Sequence, residues 1–195
     1  MNKNDFINEL NKIGVILSEH QLNQLDKYYN MLVEYNKNIN LTAITEYNQV
    51  LLKHFYDSLT LTKAIELTSQ KVCDIGTGAG FPGIVLKIAY PDLEITLVES
   101  LTKRCVFLNE VIKELGLEDI KVVNQRAEEF SQNNIEYFDI ITSRAVAKLN
   151  ILLELSIKSL KIGGYYIALK ANVDEEIKSI STCLTKLNAS LDSIT

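Results

Sequence analysis

The stretch Asp74-Ile75-Gly76-Thr77-Gly78-Ala79-Gly80-Phe81-Pro82-Gly83 constrains this chain more than any other. Glycines at 76, 78, 80 and 83 sit between apolar runs at 72–75 and 84–89. That pattern predicts a strand, a glycine loop and a helix. Glycine is needed where the backbone turns with positive φ, or where a ligand touches the main chain with no Cβ between them. Such a loop at the carboxyl end of a strand, closed by a helix N-terminus, is where an open α/β sheet holds an adenine-containing cofactor.

The choice of cofactor turns on detail. Read from Gly78, the loop spells GxGxxG (Gly78, Gly80, Gly83), so a nicotinamide-dependent oxidoreductase is one reading. Asp74 at the strand tip would repel a pyrophosphate, and Pro82 removes an amide that a pyrophosphate would use. A carboxylate there suits a cationic ligand, such as the amino acid end of S-adenosylmethionine. Glu99 lies about 20 residues past the glycines, at the tip of the next expected strand, where it can accept hydrogen bonds from ribose hydroxyls.

At 195 residues the chain has room for one α/β domain and an appendage. Residues 1–67 read as an N-terminal helical subdomain. Ser18 and Gln21 form a capping box, and Leu22, Leu25, Tyr29, Leu32 and Val33 recur on one helical face. Asparagines within 36–40 end that helix, 41–44 is a loop, and 46–67 suits one or two further helices. Residues 68–195 alternate strands (71–75, 94–99, 120–124, 137–143, 165–170) with helices (81–89, 102–115, 151–160, 174–187). Alternation of this kind implies an α/β, Rossmann-like fold: a mostly parallel sheet, right-handed crossovers and helices on both faces.

Composition narrows the function. A net charge of −5 excludes nucleic-acid binding by bulk electrostatics, so any RNA contact needs a local basic face. Only Arg104, Arg126 and Arg144 are arginines among 20 cations, and each follows an expected strand tip. Arginine offers a planar fork that lysine cannot copy, so these are positions where geometry matters. No apolar run approaches the roughly 20 residues of a membrane span. Cys73, Cys105 and Cys183 are scattered, without CxxC or Cys/His spacing. A cytoplasmic, reduced, metal-free monomer with no membrane partner is expected.

Taken together, Asp74-x-Gly76-x-Gly78-x-Gly80, Glu99 and Leu160-Lys161-Ile162-Gly163-Gly164 resemble a class I S-adenosylmethionine-dependent methyltransferase. More narrowly, the chain resembles the bacterial small-subunit ribosomal RNA guanine-N7 methyltransferase family, also called glucose-inhibited division protein B. The residues that carry this likeness are the loop through Phe81-Pro82-Gly83, Lys103-Arg104 with Phe107-Leu108, and Arg126-Ala127-Glu128-Glu129. Phe138-Asp139, Ser143-Arg144-Ala145-Val146-Ala147, Asn40-Leu41-Thr42 and His54-Phe55-Tyr56-Asp57-Ser58-Leu59 extend it over nearly the whole chain. The resemblance implies methyl transfer from S-adenosylmethionine to guanine N7 in 16S ribosomal RNA, with S-adenosylhomocysteine as product and ribosomal RNA or the small subunit as partner. It places cofactor contacts on Gly76, Phe81, Ala127, Glu128 and Arg144. The residues themselves add Asp74, Gly78, Gly80 and Glu99. A non-catalytic RNA-binding module on the same scaffold is the remaining alternative.

Guanine N7 carries a lone pair and no proton, so no acid or base is expected, and Arg144 is the candidate at the transfer site. His54 reads as a packed histidine ahead of an RNA contact, and Tyr28, Tyr29, Tyr35 and Tyr47 as packing ahead of base stacking. Two features depart from the family pattern. Lys170 is followed by Ala171 where the family tends to have glycine, and two final strands are missing after the last helix. If the chain ends at Thr195, an open edge beside the fifth strand would weaken the fold or promote self-association.

Overall fold

The structure is a computed structural model and describes residues 1–144, 148–170 and 174–194. Ala145, Val146 and Ala147 of the SRAVA stretch, together with Ala171 and Thr195, lie outside the described residues. Among the described residues five parallel strands form one sheet in the order β3-β2-β1-β4-β5. They are β1 (Lys71–Ile75), β2 (Glu94–Glu99), β3 (Ile120–Asn124), β4 (Phe138–Arg144) and β5 (Leu160–Leu169). The chain steps outward from β1 to β3, then crosses β1 to lay down β4 and β5. The order therefore reverses between β1 and β4, and a crevice opens there at the carboxyl ends of the strands.

The pleat divides β1 between two cores. Val72 joins Ile95, Leu97 and Ile140 in the larger buried cluster, while Cys73 and Ile75 join Val98, Phe138 and Ile141 in the smaller. Helices α5 (Gly83–Ala89) and α6 (Thr102–Leu115) follow β1 and β2, and Gly116 ends α6 in the left-handed conformation at φ 62°. Helices α7 (Ala127–Asn133) and α8 (Leu149–Ser156) make the crossovers to β4 and β5, and α9 (Asp174–Lys186) follows β5.

The structure departs from the sequence expectation in several places: β4 is shifted by one residue, and α8 ends at Ser156 in a 3-10 turn, Ile157–Ser159, short of the expected 160. α5 begins at Gly83 because residues up to Pro82 close the loop. β5 begins at Leu160, since the strand resumes pairing after a register shift in which Gly163 takes φ 80°. α7 has no counterpart in the sequence reading. It is seven residues long, and Phe130 is the one large apolar side chain it buries.

The N-terminal helices α1 (Lys3–Lys12) and α2 (Glu19–Asn36) each open on a capping box, at Asn2/Asp5 and Ser18/Gln21. A second helical stretch runs through α3 (Tyr47–Val50), a π-helical segment Leu51–Tyr56, α4 (Asp57–Leu59) and a 3-10 turn Thr60–Lys63. Phe6, Leu10, Leu25, Tyr28, Leu32, Phe55 and Leu59 are buried in the same cluster as Val72, Ile84 and Leu97. The helical layer and the sheet thus share one core.

Gln21 fastens that layer. Its amide donates to the carbonyls of Ile88 and Ala89 at 2.7 and 3.1 Å, at the end of α5 where no helical donor remains. Gln21→Ala should therefore cost about 1–3 kcal/mol in urea unfolding, because it strands two carbonyls and breaks a capping box. A loss under about 0.5 kcal/mol would mean that water replaces the amide at no cost.

Candidate active site

The loop after β1 is folded by its own hydrogen bonds. Gly76, Gly78 and Gly80 take φ of 67°, 61° and 100°. The amides of Gly76 and Thr77 donate to Val98 O at 2.9 and 3.1 Å, and those of Gly80 and Phe81 to Thr77 O at 2.9 and 3.1 Å.

Two carboxylates brace this loop from opposite sides. Asp74 is fully buried, and its Oδ2 accepts from the Thr77 hydroxyl at 2.6 Å and the Gly83 amide at 2.8 Å. Glu99 is 4% exposed; Oε2 accepts from the Gly78 amide at 3.1 Å and Oε1 from the Leu101 amide at 2.8 Å. Arg104 lies 3.5 Å from Glu99 Oε2 and donates to Asn40 O at 3.3 Å. Asp74 and Glu99 both reach the loop, where each is partly occupied by backbone amides.

One oxygen is not occupied. Asp74 Oδ1 has no hydrogen-bond partner among the described residues, and neither does the buried Thr142 Oγ1. The two residues are register neighbours across β1 and β4, with side chains on the same face of the sheet. Burial is the main cause that raises the Asp74 carboxyl to about 6; hydrogen bonds from Thr77 and Gly83 and the charge of Arg144 oppose it.

The glycines have separate jobs. A Cβ on Gly83 would lie 2.3 Å from Leu97 Cδ2, and one on Gly80 would lie 2.6 Å from Ile84 Cδ1 and 2.7 Å from the Tyr28 hydroxyl oxygen. At Gly78 nothing comes closer than 3.9 Å. Gly80 and Gly83 therefore serve close packing, and Gly78 leaves open backbone. In a dinucleotide fingerprint the second glycine lets the pyrophosphate approach. Here Ile84 and Tyr28 already fill that side of Gly80, which argues against the oxidoreductase reading.

Across the crevice, Arg144 at the tip of β4 is bound by the N-terminal layer. Its Nη1 donates to Lys53 O at 2.8 Å and Asp57 Oδ2 at 3.1 Å, its Nη2 lies 3.0 Å from His54 Nδ1, and its guanidinium carbon is 4.8 Å from the Phe81 ring centre. The Phe81 ring is buried, stacked on His54 at 4.5 Å and packed against Tyr28 and Phe55. Any side-chain contact it makes with a cofactor would thus be at the edge of an aromatic cluster. Ala127 and Glu128 open α7 beyond β3, partly buried and exposed respectively.

His54 and the tyrosines pack, as expected: Tyr28 is buried with its hydroxyl on Ala79 O, Tyr29 meets Tyr47 edge-on, and Tyr35 lies against Phe107. Thr77, which locks Asp74 to the loop, and the Arg104–Glu99 pair are absent from the sequence reading. The clustering of arginines was the available signal for the second. A cavity of about 250 Å³ lined by Lys71, Glu94, Asp119 and Tyr137 lies at the other, amino end of the sheet, away from all of these groups. Among the described residues no cluster of three or more His, Cys, Asp or Glu could hold a metal ion, and no helix is long and apolar enough to cross a membrane.

Comparison with known proteins shows the family and the fold. Residues 21–195 match the family described as rRNA small subunit methyltransferase G, GidB. The chain is 47% identical over 196 residues to ribosomal RNA small subunit methyltransferase G of Lysinibacillus sphaericus, covering 98% of this chain and 82% of that protein. It is 52% identical over 179 residues to the protein of the same name from Desulforamulus reducens, covering 90% and 75%. Among solved structures, a SAM-dependent methyltransferase from Aquifex aeolicus superposes with a TM-score of 0.56 at 16% identity, over 77% of this chain and 87% of that one; at that identity the likeness shows the fold alone.

Proposed function

The chain belongs to the rRNA small subunit methyltransferase G family, and on that premise we propose that its crevice transfers a methyl group from S-adenosylmethionine to N7 of a guanine in 16S ribosomal RNA. The observation that carries the assignment is open backbone at Gly78 between two buried carboxylates, one of which has an oxygen without a donor.

S-adenosylmethionine supplies an electrophilic methyl group on a sulfonium sulfur. Asp74 would attract the cationic amino end of that molecule, where Oδ1 still lacks a partner. Glu99 would take the ribose hydroxyls, since each of its oxygens has a lone pair beyond the one used by a backbone amide. Gly76, Gly78 and Gly80 shape the loop, and Ala127 and Glu128 frame the adenine from the α7 side. Phe81 contributes the apolar floor on which Arg144 rests. Arg144 sits at the edge of the switch point, where the methyl acceptor would arrive.

Acceleration then comes from holding N7, carbon and sulfur in line with water excluded, an effect worth about 7–11 kcal/mol in well-oriented reactions. No residue is required as a base, because N7 attacks through a free lone pair. The N7 edge faces the deep, narrow groove of A-form RNA, so the acceptor is an unpaired or extruded guanine. The acidic chain favours the assembled small subunit, with its proteins, over naked RNA. We place the protein in the cytoplasm as a metal-free monomer.

Incubation with S-adenosylmethionine carrying a labelled methyl group, on unmethylated small subunits and on free 16S RNA, tests this directly. Label should appear at N7 of a guanine, and more on subunits. Label confined to protein or small metabolites would end the ribosomal reading.

A further inference from the structure

Two partners compete for His54 Nδ1, the Arg144 guanidinium at 3.0 Å and the Lys53 carbonyl at 3.1 Å, and the charged donor is the stronger. Arg144 cannot accept, so His54 Nδ1, 3.0 Å from its Nη2, must present a lone pair. The neutral ring then carries its proton on Nε2, which lies 2.8 Å from Thr42 Oγ1. That hydroxyl oxygen also accepts from the Ile44 amide at 3.0 Å. The Lys53 carbonyl, 3.1 Å from Nδ1, accepts from Arg144 Nη1 at 2.8 Å. It belongs to the π-helical segment Leu51–Tyr56.

Stacking completes the constraint. The imidazole lies 4.5 Å from the Phe81 ring at an interplanar angle of 20°, and the guanidinium carbon lies 4.8 Å from the same ring. A hydrogen-bonded pair resting on one aromatic ring is fixed in orientation as well as in distance. Burial and the adjacent Arg144 push the His54 imidazole down to about 4, consistent with a ring that is neutral near pH 7.

We propose that His54 is the positioning residue of the transfer site: accepting at Nδ1 and donating at Nε2, it links Thr42 to Arg144 and sets the plane of the guanidinium at the tip of β4. The proposal rests on the placement of Arg144 in the crevice given above. A histidine that merely filled the core would need its ring, not its acceptor.

The test separates ring from acceptor. His54→Phe keeps the stack on Phe81 and deletes both nitrogens; His54→Asn keeps an acceptor oxygen near the place of Nδ1. Both are made in the full chain, alone and with Arg144→Gln, and assayed for melting temperature, methyl transfer to small subunits and calorimetric affinity for S-adenosylhomocysteine. His54→Phe should melt within a few degrees of the parent yet lose about 10- to 100-fold in methyl transfer, the usual weight of a hydrogen bond to a charged group. His54→Asn should recover most of that loss, and His54→Phe should add little once Arg144 is glutamine. Full activity in His54→Phe, equal losses in Phe and Asn variants, or additivity with Arg144→Gln would each overturn the positioning role. Should His54→Phe fail to fold, the Asn variant and its cycle with Arg144→Gln decide alone. Wild-type transfer by Arg144→Gln would instead remove Arg144 from the site, a separate failure.

Discussion

Asp74→Asn is expected to yield a protein more stable than its parent that no longer holds its cofactor well. Ionised Asp74 is buried without a full set of donors, and its carboxyl is raised from 3.8 to about 6. That difference corresponds to about 3 kcal/mol of destabilisation at neutral pH. The sign follows from the raised folded value. Below about pH 4 the carboxyl is protonated in folded and unfolded chains alike, and the penalty is absent. As pH rises from about 4 to 6 the unfolded chain loses its proton first, so stability falls, and above about 6 the whole penalty is present.

Asparagine carries no charge to bury. Its oxygen can still accept from Thr77 and Gly83, and its amide nitrogen can point at Thr142, whose hydroxyl oxygen lacks a partner. A gain of about 1–3 kcal/mol at pH 7.5 in urea unfolding, shrinking towards pH 4, is therefore expected. Affinity for S-adenosylhomocysteine should fall about 10- to 100-fold, the weight of one charge-assisted contact. Parental affinity should weaken as pH drops below about 6, when Asp74 takes up its proton, and the variant should show no such slope. A site that trades stability for ligand binding behaves in this way. Unchanged affinity in Asp74→Asn would reduce the residue to a brace for the loop.

The second large effect separates glycines that look alike in the sequence. Gly83→Ala puts a methyl group 2.3 Å from Leu97 Cδ2 and 2.9 Å from Asp74 Oδ2, at the contact between α5 and β2. Overpacking of this kind costs about 1–3 kcal/mol, and more where backbone must move. Gly80→Ala adds the left-handed φ of 100° to a similar clash with Ile84 and Tyr28. Gly78→Ala meets no such obstacle and should cost only about 1 kcal/mol of backbone strain. It should nevertheless weaken S-adenosylhomocysteine binding at least about tenfold, because a Cβ enters an open stretch of the loop. Thermal melts and calorimetry on the three variants decide this. A Gly83→Ala protein as stable as the parent, or a Gly78→Ala protein with parental affinity, would show that these glycines do not divide the work.

Much of this was legible in the chain because local chemistry and fold agree. β1, β2 and β3 begin and end at the expected residues, Gly116 caps α6, and Ser18 with Gln21 opens α2. Asp74 and Glu99 reach the loop because both stand at strand tips. Short, polar α7 left no periodic signal, since most of its residues face solvent. The register shift in β5 is set by pairing with β4, a contact between distant segments that composition does not encode. The tie from Arg144 to Lys53, His54 and Asp57 spans some ninety positions. Sequence could mark Arg144 as unusual; only the folded chain shows that the N-terminal layer holds it.

The most direct test of the crevice is a crystal structure with S-adenosylhomocysteine bound. The expected result is density over Gly78 at the carboxyl ends of β1 and β2, its amino end towards Asp74 and its ribose on Glu99. Density lodged elsewhere, or those two carboxylates turned from the ligand, would contradict it.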